Sequence, residues 1–132
     1  MNRIVARYQD GNLLKGVTND FLPAKDRFHV VPLESAPGTK PVEVLVADLK
    51  AVFFVKDFTG KPEHKESEQF DLMKPVSGRK IRVVFKDGEV MLGTTQGYQP
   101  GRPGFFLVPA DATSNNERCF VVTAATREVS FV

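Results

Sequence analysis

The fold is decided by the segment IRVVFKDGEVMLGTT, residues 81–95, which repeats the pattern of IVARYQDGNLLKGVT, residues 4–18. The alignment continues without a gap over residues 4–55 and 81–132, at a constant offset of 77. Fourteen of the 52 aligned positions are identical, whereas composition alone gives about three. The chain therefore contains an internal duplication, and both copies are expected to fold alike.

A β-hairpin is predicted at the start of each copy. Ile81, Val83 and Phe85 alternate with Arg82 and Lys86, which is typical of a strand with one buried face. Asp87-Gly88 follows, and this dipeptide favours a type I′ turn. Gly93 in the return strand indicates a bend or bulge. The first copy follows the same plan around Asp10-Gly11.

Each copy is interpreted as five short strands with one 3₁₀ turn before the fifth. The predicted organisation is a first repeat over residues 1–55, a polar and partly ordered linker over 56–80, and a second repeat over 81–132. A unit of 52 residues is near the lower limit for an independent core. We therefore expect an all-β protein whose two repeats pack as a pseudo-twofold pair or assemble further.

The order of these elements resembles that of Sm-like small barrels. The segment VVFKDGEVMLGTTQGYQPGRPGFFLVPAD, residues 83–111, is similar to the first Sm motif. The resemblance implies two tandem five-stranded Sm-like small barrels. Sm-like proteins that bind uridine-rich RNA carry an Asp and an Asn after the aromatic residue of this motif, where this chain has QPGRP, residues 99–103. The resemblance therefore implies the barrel without its RNA site.

Composition and charge narrow the classes of function. An apolar fraction of 42% and a charged fraction of 26% are those of a soluble globular protein. Residues 4–55 and 81–132 are each neutral, and the net charge of +2 comes from Arg3 and residues 56–80. The repeats therefore show no excess of the clustered basic residues from which a nucleic-acid-binding surface usually draws its affinity. A single cysteine excludes an internal disulfide. Without a long apolar run or a signal-peptide pattern, we expect a cytoplasmic protein with no membrane partner.

Residues suited to catalysis at neutral pH are few. Cys119 aligns with Val42 at a core-facing strand position, so a buried thiol is the favoured interpretation. His29 aligns with Phe106, and His64 lies in the polar linker. We recognise no catalytic constellation and no metal-binding cluster. The sequence therefore predicts a protein that is not an enzyme and needs no cofactor.

One surface feature recurs in both copies. Lys25 and Arg102 occupy equivalent loop positions, and an aromatic residue, Phe21 or Tyr98, precedes each of them. A basic side chain near an aromatic ring in both copies could form a paired recognition surface, although a solvated loop with its ring tucked against the barrel also fits. The candidate binding residues are Phe21, Lys25, Arg27, Tyr98, Arg102 and Phe106.

The leading hypothesis is a non-enzymatic binding or regulatory module that engages a protein partner through loops or strand edges. Its edge strands could also form a homo-oligomer. The main alternative is single-stranded RNA or DNA binding, with bases stacked on the aromatic rings. Arg3 and Arg7 have the Arg-x-x-x-Arg spacing of PilZ domains, which bind cyclic di-GMP, but the companion motif is missing. Cyclic dinucleotide binding therefore ranks below RNA.

Overall fold

The computed structural model describes residues 2–56, 78–99, 101–110 and 116–132. Most of the predicted linker, with His64, lies outside these described residues. The described part forms ten antiparallel β-strands and two 3₁₀ turns, Val46–Asp48 and Thr123–Ala125. The strands are β1 (Asn2–Tyr8), β2 (Leu13–Thr18), β3 (Arg27–Pro32), β4 (Val42–Leu45), β5 (Leu49–Val55), β6 (Arg79–Phe85), β7 (Val90–Thr95), β8 (Gly104–Pro109), β9 (Asn116–Val122) and β10 (Thr126–Phe131).

The duplication is visible in the strand bounds. Adding 77 to the residue numbers of β1, β2 and β3 gives the bounds of β6, β7 and β8, and the two 3₁₀ turns correspond in the same way. Strand registers match as well, since Ile4 faces Gly16 as Ile81 faces Gly93. The two copies therefore form two halves with the same local structure.

All ten strands join in one sheet, in the order β10-β6-β7-β8-β9-β5-β1-β2-β3-β4. The halves meet where β5, the fifth strand of the first half, pairs with β9, the fourth strand of the second half. A pseudo-twofold pair would bring the same strand of each half to the contact. The expected pseudo-twofold relation is therefore wrong, and the halves are joined head to tail.

Both junction strands contribute to two hydrophobic cores. From β5, Leu49, Val52 and Phe54 face the core of the first half, whereas Ala51, Phe53 and Val55 face the core of the second half. In β9 Phe120 lies in the first core and Cys119 in the second. Every residue of β5 is buried, which explains why its sequence, LKAVFFV, is a nearly continuous apolar run.

Each hairpin has a longer loop than the sequence suggested. The Gly88 N–H donates to the Phe85 carbonyl (2.9 Å), and the Phe85 N–H donates to the Glu89 carbonyl (2.8 Å). Gly88 has φ of 94°, while among the described residues Glu34 alone has a positive φ without being glycine. Asp87 therefore lacks the positive φ of a type I′ turn, and the hairpin has a three-residue loop ending in a left-handed glycine. The predicted hairpin is confirmed, but its predicted turn type is wrong.

The bends predicted at the two strand glycines involve close backbone contact. A Cβ atom on Gly16 would overlap the carbonyl oxygen of Val31, and one on Gly93 would overlap that of Val108. Just beyond each bend, the Thr18 and Thr95 hydroxyls donate to the carbonyls of His29 and Phe106, both at 2.8 Å. These paired contacts hold the second strand of each half against the third.

Candidate functional site

The structure brings two of the six predicted binding residues together. Phe21 and Phe106 come from different halves, yet their ring centroids are 6.1 Å apart. Both rings also pack against Phe54 and Phe120, at 5.1–6.0 Å and in edge-on or tilted orientations. The Arg118 guanidinium lies 4.7 Å from the centre of the Phe106 ring and 4.4 Å from that of Phe54. This aromatic cluster therefore reinforces the β5–β9 junction.

Tyr98 belongs to the other half and to the other core. Its ring packs edge-on against Phe105, at 4.8 Å, and against Phe131 on β10, at 6.1 Å. The Arg79 guanidinium lies 3.7 Å from the centre of the Phe131 ring. Tyr98 thus repeats the position of Phe21, but beside β10, the last strand in the described sheet, where Phe131 is 40% exposed.

All three basic candidates are exposed: Lys25 and Arg102 lie in loops, and Arg27 begins β3. Lys25 lies in a turn in which its N–H donates to the Leu22 carbonyl. The Arg27 guanidinium is 3.4 Å from carboxylate oxygens of both Asp26 and Glu43. In the second half, Arg102 Nε donates to Gln99 Oε1 at 2.7 Å. The side chains of Arg27 and Arg102 are therefore already engaged by polar groups of their own half.

Sequence reasoning missed an ion-pair cluster that spans the two halves. The side chain of Lys50, on β5, is only 10% exposed, and its ammonium group lies 2.7 Å from Asp87 Oδ2 and also contacts Glu89 Oε1. The ammonium group lies 4.7 Å from the centre of the Phe85 ring as well. A signal was present, since Lys50 interrupts an apolar run and aligns with another basic residue, Arg127.

These contacts shift the charge states of the Lys50 cluster. Burial lowers the pKa of Lys50, but hydrogen bonds to Asp87 and Glu89 and their negative charges outweigh this effect, so the pKa is raised overall. The hydrogen bond from Lys50, with that from the Glu89 N–H, lowers the pKa of Asp87. The Lys50–Asp87 pair therefore stays ionised across the neutral range.

A second charged group in the first half joins β3 and β4 to the loop that precedes β3. Asp20 accepts hydrogen bonds from the His29 backbone N–H (2.9 Å) and from the Thr18 hydroxyl (3.2 Å), and its other oxygen lies 2.7 Å from His29 Nδ1. The backbone hydrogen bond from His29 is the main reason that the pKa of Asp20 is lowered. On the far side of the ring, His29 Nε2 lies 3.9 Å from Glu43 on β4.

The group of Asp20, His29 and Glu43 forms a charged surface next to β4. His29 and its two carboxylates are about half exposed, so they resemble a solvated surface network more than a shielded active site. Within the described ranges, no group of three or more His, Cys, Asp or Glu side chains is arranged to hold a metal ion. The buried position of Cys119 is confirmed.

The two arginines with PilZ-like spacing contact the chain itself. Arg3 Nη1 donates to the Lys56 carbonyl at 3.2 Å. The guanidinium of Arg7 lies 5.5 Å from the centre of the Phe53 ring. Both contacts lie along the β1–β5 pair, so these arginines support the centre of the sheet.

Two strands have a neighbour on one side only among the residues that the structure describes, namely β4 and β10. On β4, Val42 and Leu45 are each 39% exposed. At the other end, Phe131 is joined by Val132, which is 71% exposed. These edges combine unpaired backbone with apolar side chains, which is the chemistry of strand addition.

The fold and these surfaces define an all-β protein with one ten-stranded antiparallel sheet, whose two end strands have no second neighbour in the part of the chain that the structure describes. No helix in the described part of the chain is long and apolar enough to cross a lipid bilayer. The chain belongs to DUF6982, a family of unknown function whose model matches residues 1–132. Comparison with curated proteins and with solved structures found no match.

Proposed function

We propose that this protein is a non-enzymatic binding module that engages a protein partner by adding strands to the open edges of its sheet. The observation that carries the proposal is the pair of strands, β4 and β10, that end the sheet with one side unpaired in the described residues. An edge strand offers its backbone N–H and C=O groups to another chain. Exposed apolar side chains on the same strands then give the contact specificity.

The chemistry of the edges supports a protein partner over a small substrate. Val42 and Leu45 are exposed on β4, and Phe131 is exposed on β10. The polar groups nearest to β4 form a solvated network around Glu43 and His29. Such a surface suits extended contact with another polypeptide.

We further propose that each half closes as a small barrel of the Sm-like kind. In both halves the strand order is fifth, first, second, third, fourth. Residues Arg27–Val30 of β3 pair with β4, whereas Val31 and Pro32 pair with β2. The sheet thus turns within β3, next to the close contact at Gly16, and such a turn is what a small closed sheet needs.

Single-stranded nucleic acid binding stays a prediction with less support. Stacking requires ring faces open to a base, but Phe21 and Tyr98 are only partly exposed and pack against core aromatics. Arg27 and Arg102 are paired with neighbouring side chains. Nothing in the geometry favours cyclic dinucleotides either, since Arg3 and Arg7 contact β5 and the residue after it.

Affinity capture from a native extract tests the proposal when the edges are varied. Val42→Lys places a charge on the β4 edge, where strand addition should be blocked. Val108→Lys is the matched control, because Val108 is 51% exposed on β8, a strand with neighbours on both sides. The wild-type chain and the Val108→Lys variant should recover the same proteins, and the Val42→Lys variant should lose some of them.

Nuclease treatment separates the two classes of partner. Recovery that survives nuclease and depends on Val42 would support the proposal. Equal recovery by all three chains would refute edge binding, and recovery abolished by nuclease would favour the nucleic-acid alternative. For that alternative, a salt titration against a mixed RNA pool is the direct measurement, because phosphate contacts weaken as salt rises.

A further inference from the structure

The junction inside the chain shows how its outer edges could be used. The fifth strand of the first half, β5, pairs with the fourth strand of the second half, β9. The strands left at the two ends of the sheet are the fourth of the first half, β4, and the fifth of the second half, β10. One end of the sheet therefore offers a fourth strand and the other end offers a fifth strand, which are the two strands that pair at the β5–β9 junction within the chain.

We propose that the partner is a second copy of this chain, whose β4 pairs antiparallel with β10 of the first copy. The proposal rests on the proposed function and names the partner for the same edges. The expected pairs follow from the β5–β9 register when each β5 residue is replaced by its counterpart 77 positions later and each β9 residue by its counterpart 77 positions earlier. Glu128 would face Val44, Val129 would face Glu43, and Ser130 would face Val42. The two glutamates would then point to opposite faces of the sheet, without like-charge contact.

Charge complementarity across the Lys50 cluster supports this choice. Lys50 reaches from β5 to Asp87 in the other half. In the alignment of the two copies Lys50 corresponds to Arg127 and Asp87 corresponds to Asp10, and both counterparts are exposed. In a head-to-tail pair, Arg127 of one copy would reach Asp10 of the next. Asn12 replaces the second carboxylate, that of Glu89, so this contact would be weaker than the internal one.

A second complementary contact lies at the aromatic end of the edge. At the internal junction, Phe120 of β9 packs into the cluster around Phe54 of β5. The counterpart of Phe54 is Phe131, which carries the Arg79 guanidinium on its face. The counterpart of Phe120 is Glu43. A second copy would therefore bring a carboxylate where the internal junction has a ring, close to the Arg79 guanidinium, whose counterpart in the first half is Asn2.

These substitutions also predict that the contact is reversible. Ser130 and Glu43 replace two buried rings, Phe53 and Phe120, and Pro41 precedes β4 where β9 has Arg118. Proline has no N–H group to donate, and β4 is only four residues long. The pairing joins different surfaces, so it would build rings or open chains and not closed twofold dimers.

Sedimentation of the purified full chain, from about 1 µM to about 1 mM, measures the association. The mass should rise above 14.7 kDa with concentration and fall again with added salt. Arg127→Glu should weaken association about fivefold to tenfold. Lys15→Glu, an exposed charge reversal on the inner strand β2, should leave association unchanged.

A variant that strengthens association separates a specific effect from misfolding, because a misfolded chain would lose association and not gain it. Asn12→Glu restores the missing carboxylate in a turn that already accepts glutamate at the equivalent Glu89. It should tighten association about threefold to fivefold in the wild-type chain. In the Arg127→Glu background it should not, because Arg127 supplies the cation for the new carboxylate.

Cysteine cross-linking tests the register and the head-to-tail relation. A mixture of Ser130→Cys and Val42→Cys chains should form a disulfide-linked dimer, because these positions would face each other. Neither variant alone should do so, and Leu45→Cys should not replace Val42→Cys.

Three results would overturn the proposal: a mass of one chain at every concentration even with Asn12→Glu, association unaffected by Arg127→Glu, or cross-linking of Ser130→Cys chains to each other. If self-association failed while extract capture still depended on Val42, the proposed function would stand with a different partner. If both failed, the proposed function would fall as well.

Discussion

Replacement of Phe120 by alanine tests whether the two halves form one folding unit. Phe120 belongs to the second copy in sequence, but its ring is 1% exposed in the core of the first half. It packs edge-on against Phe21 and Phe106, at centroid distances of 5.1 and 5.2 Å. Loss of such a ring costs about 3–5 kcal/mol. A chain of this size has a free energy of unfolding of about 7–20 kcal/mol, so we expect a folded but much weaker variant.

The chain offers one fluorescent reporter in each half. It has no tryptophan and two tyrosines, of which Tyr8 packs against the first core and Tyr98 against the second. A Tyr98→Phe background leaves the first reporter, and a Tyr8→Phe background leaves the second. Urea unfolding should give one shared midpoint for both reporters, because β5 and β9 belong to both cores. Phe120→Ala should lower both midpoints by the same amount.

Independent unfolding of the halves would give a different result. If Phe120→Ala lowered the Tyr8 midpoint and left the Tyr98 midpoint at its wild-type value, the shared-core argument would be refuted. Phe120→Leu, which costs about 1–1.5 kcal/mol, keeps the test available if the alanine variant does not fold. Val108→Ala serves as a surface control, since an exposed side chain contributes less than about 0.5 kcal/mol.

Lys50→Met should lower the free energy of unfolding by about 1–2 kcal/mol near neutral pH, because it removes a largely buried ammonium group from half-exposed carboxylates. Since Lys50 lowers the pKa of Asp87, this stabilisation is complete above the usual carboxyl value of 3.8 and is lost as pH falls through the lower folded-state value. Urea midpoints of wild type and Lys50→Met should therefore converge in acid, and midpoints that stay equally far apart would contradict the assigned contact. Gly93→Ala should cost about 2–4 kcal/mol, because its Cβ would overlap the Val108 carbonyl. Gly97→Ala meets open space and should change stability by less than about 0.5 kcal/mol in the same urea assay.

Local features were predictable because they depend on neighbouring residues. The alternation of Ile81, Val83 and Phe85 with Arg82 and Lys86 identified a strand. Cys119 is buried as expected, but the aligned Val42, which was expected to face the core, is 39% exposed on β4. The position of the hairpin followed from Asp87-Gly88, but the turn type did not. This dipeptide fits a two-residue loop and also a three-residue loop that ends in a left-handed glycine, and only the hydrogen bonds around Phe85 distinguish them.

The junction was harder to predict because strand pairing is a choice between distant segments. Each copy alone is compatible with a twofold pair, a head-to-tail pair or two separate units. The choice of pairing strands is indicated by the positions at which the two copies differ, and not by the positions at which they are identical. Phe53 becomes Ser130, and Phe120 becomes Glu43. In both cases the strand at the internal junction carries the apolar residue: β5 and not β10, β9 and not β4. This difference between the copies could have indicated that the fifth strand of the first half pairs with the fourth strand of the second half.

The same asymmetry bears on how the two junctions differ in strength. Within one chain the connecting segment keeps β5 and β9 at a high effective concentration, so their pairing needs no help from assembly. This junction nevertheless has the more apolar surface, with Phe53, Phe120 and Cys119 buried. The outer edges carry Glu43, Ser130 and a proline, which are the residue types that limit uncontrolled strand addition. An edge that never paired would need only this protection. Because Arg127 and Asp10 also repeat the charges of the internal ion pair, the outer edges combine protection with a complementary contact, which is the combination expected of a controlled, reversible interface.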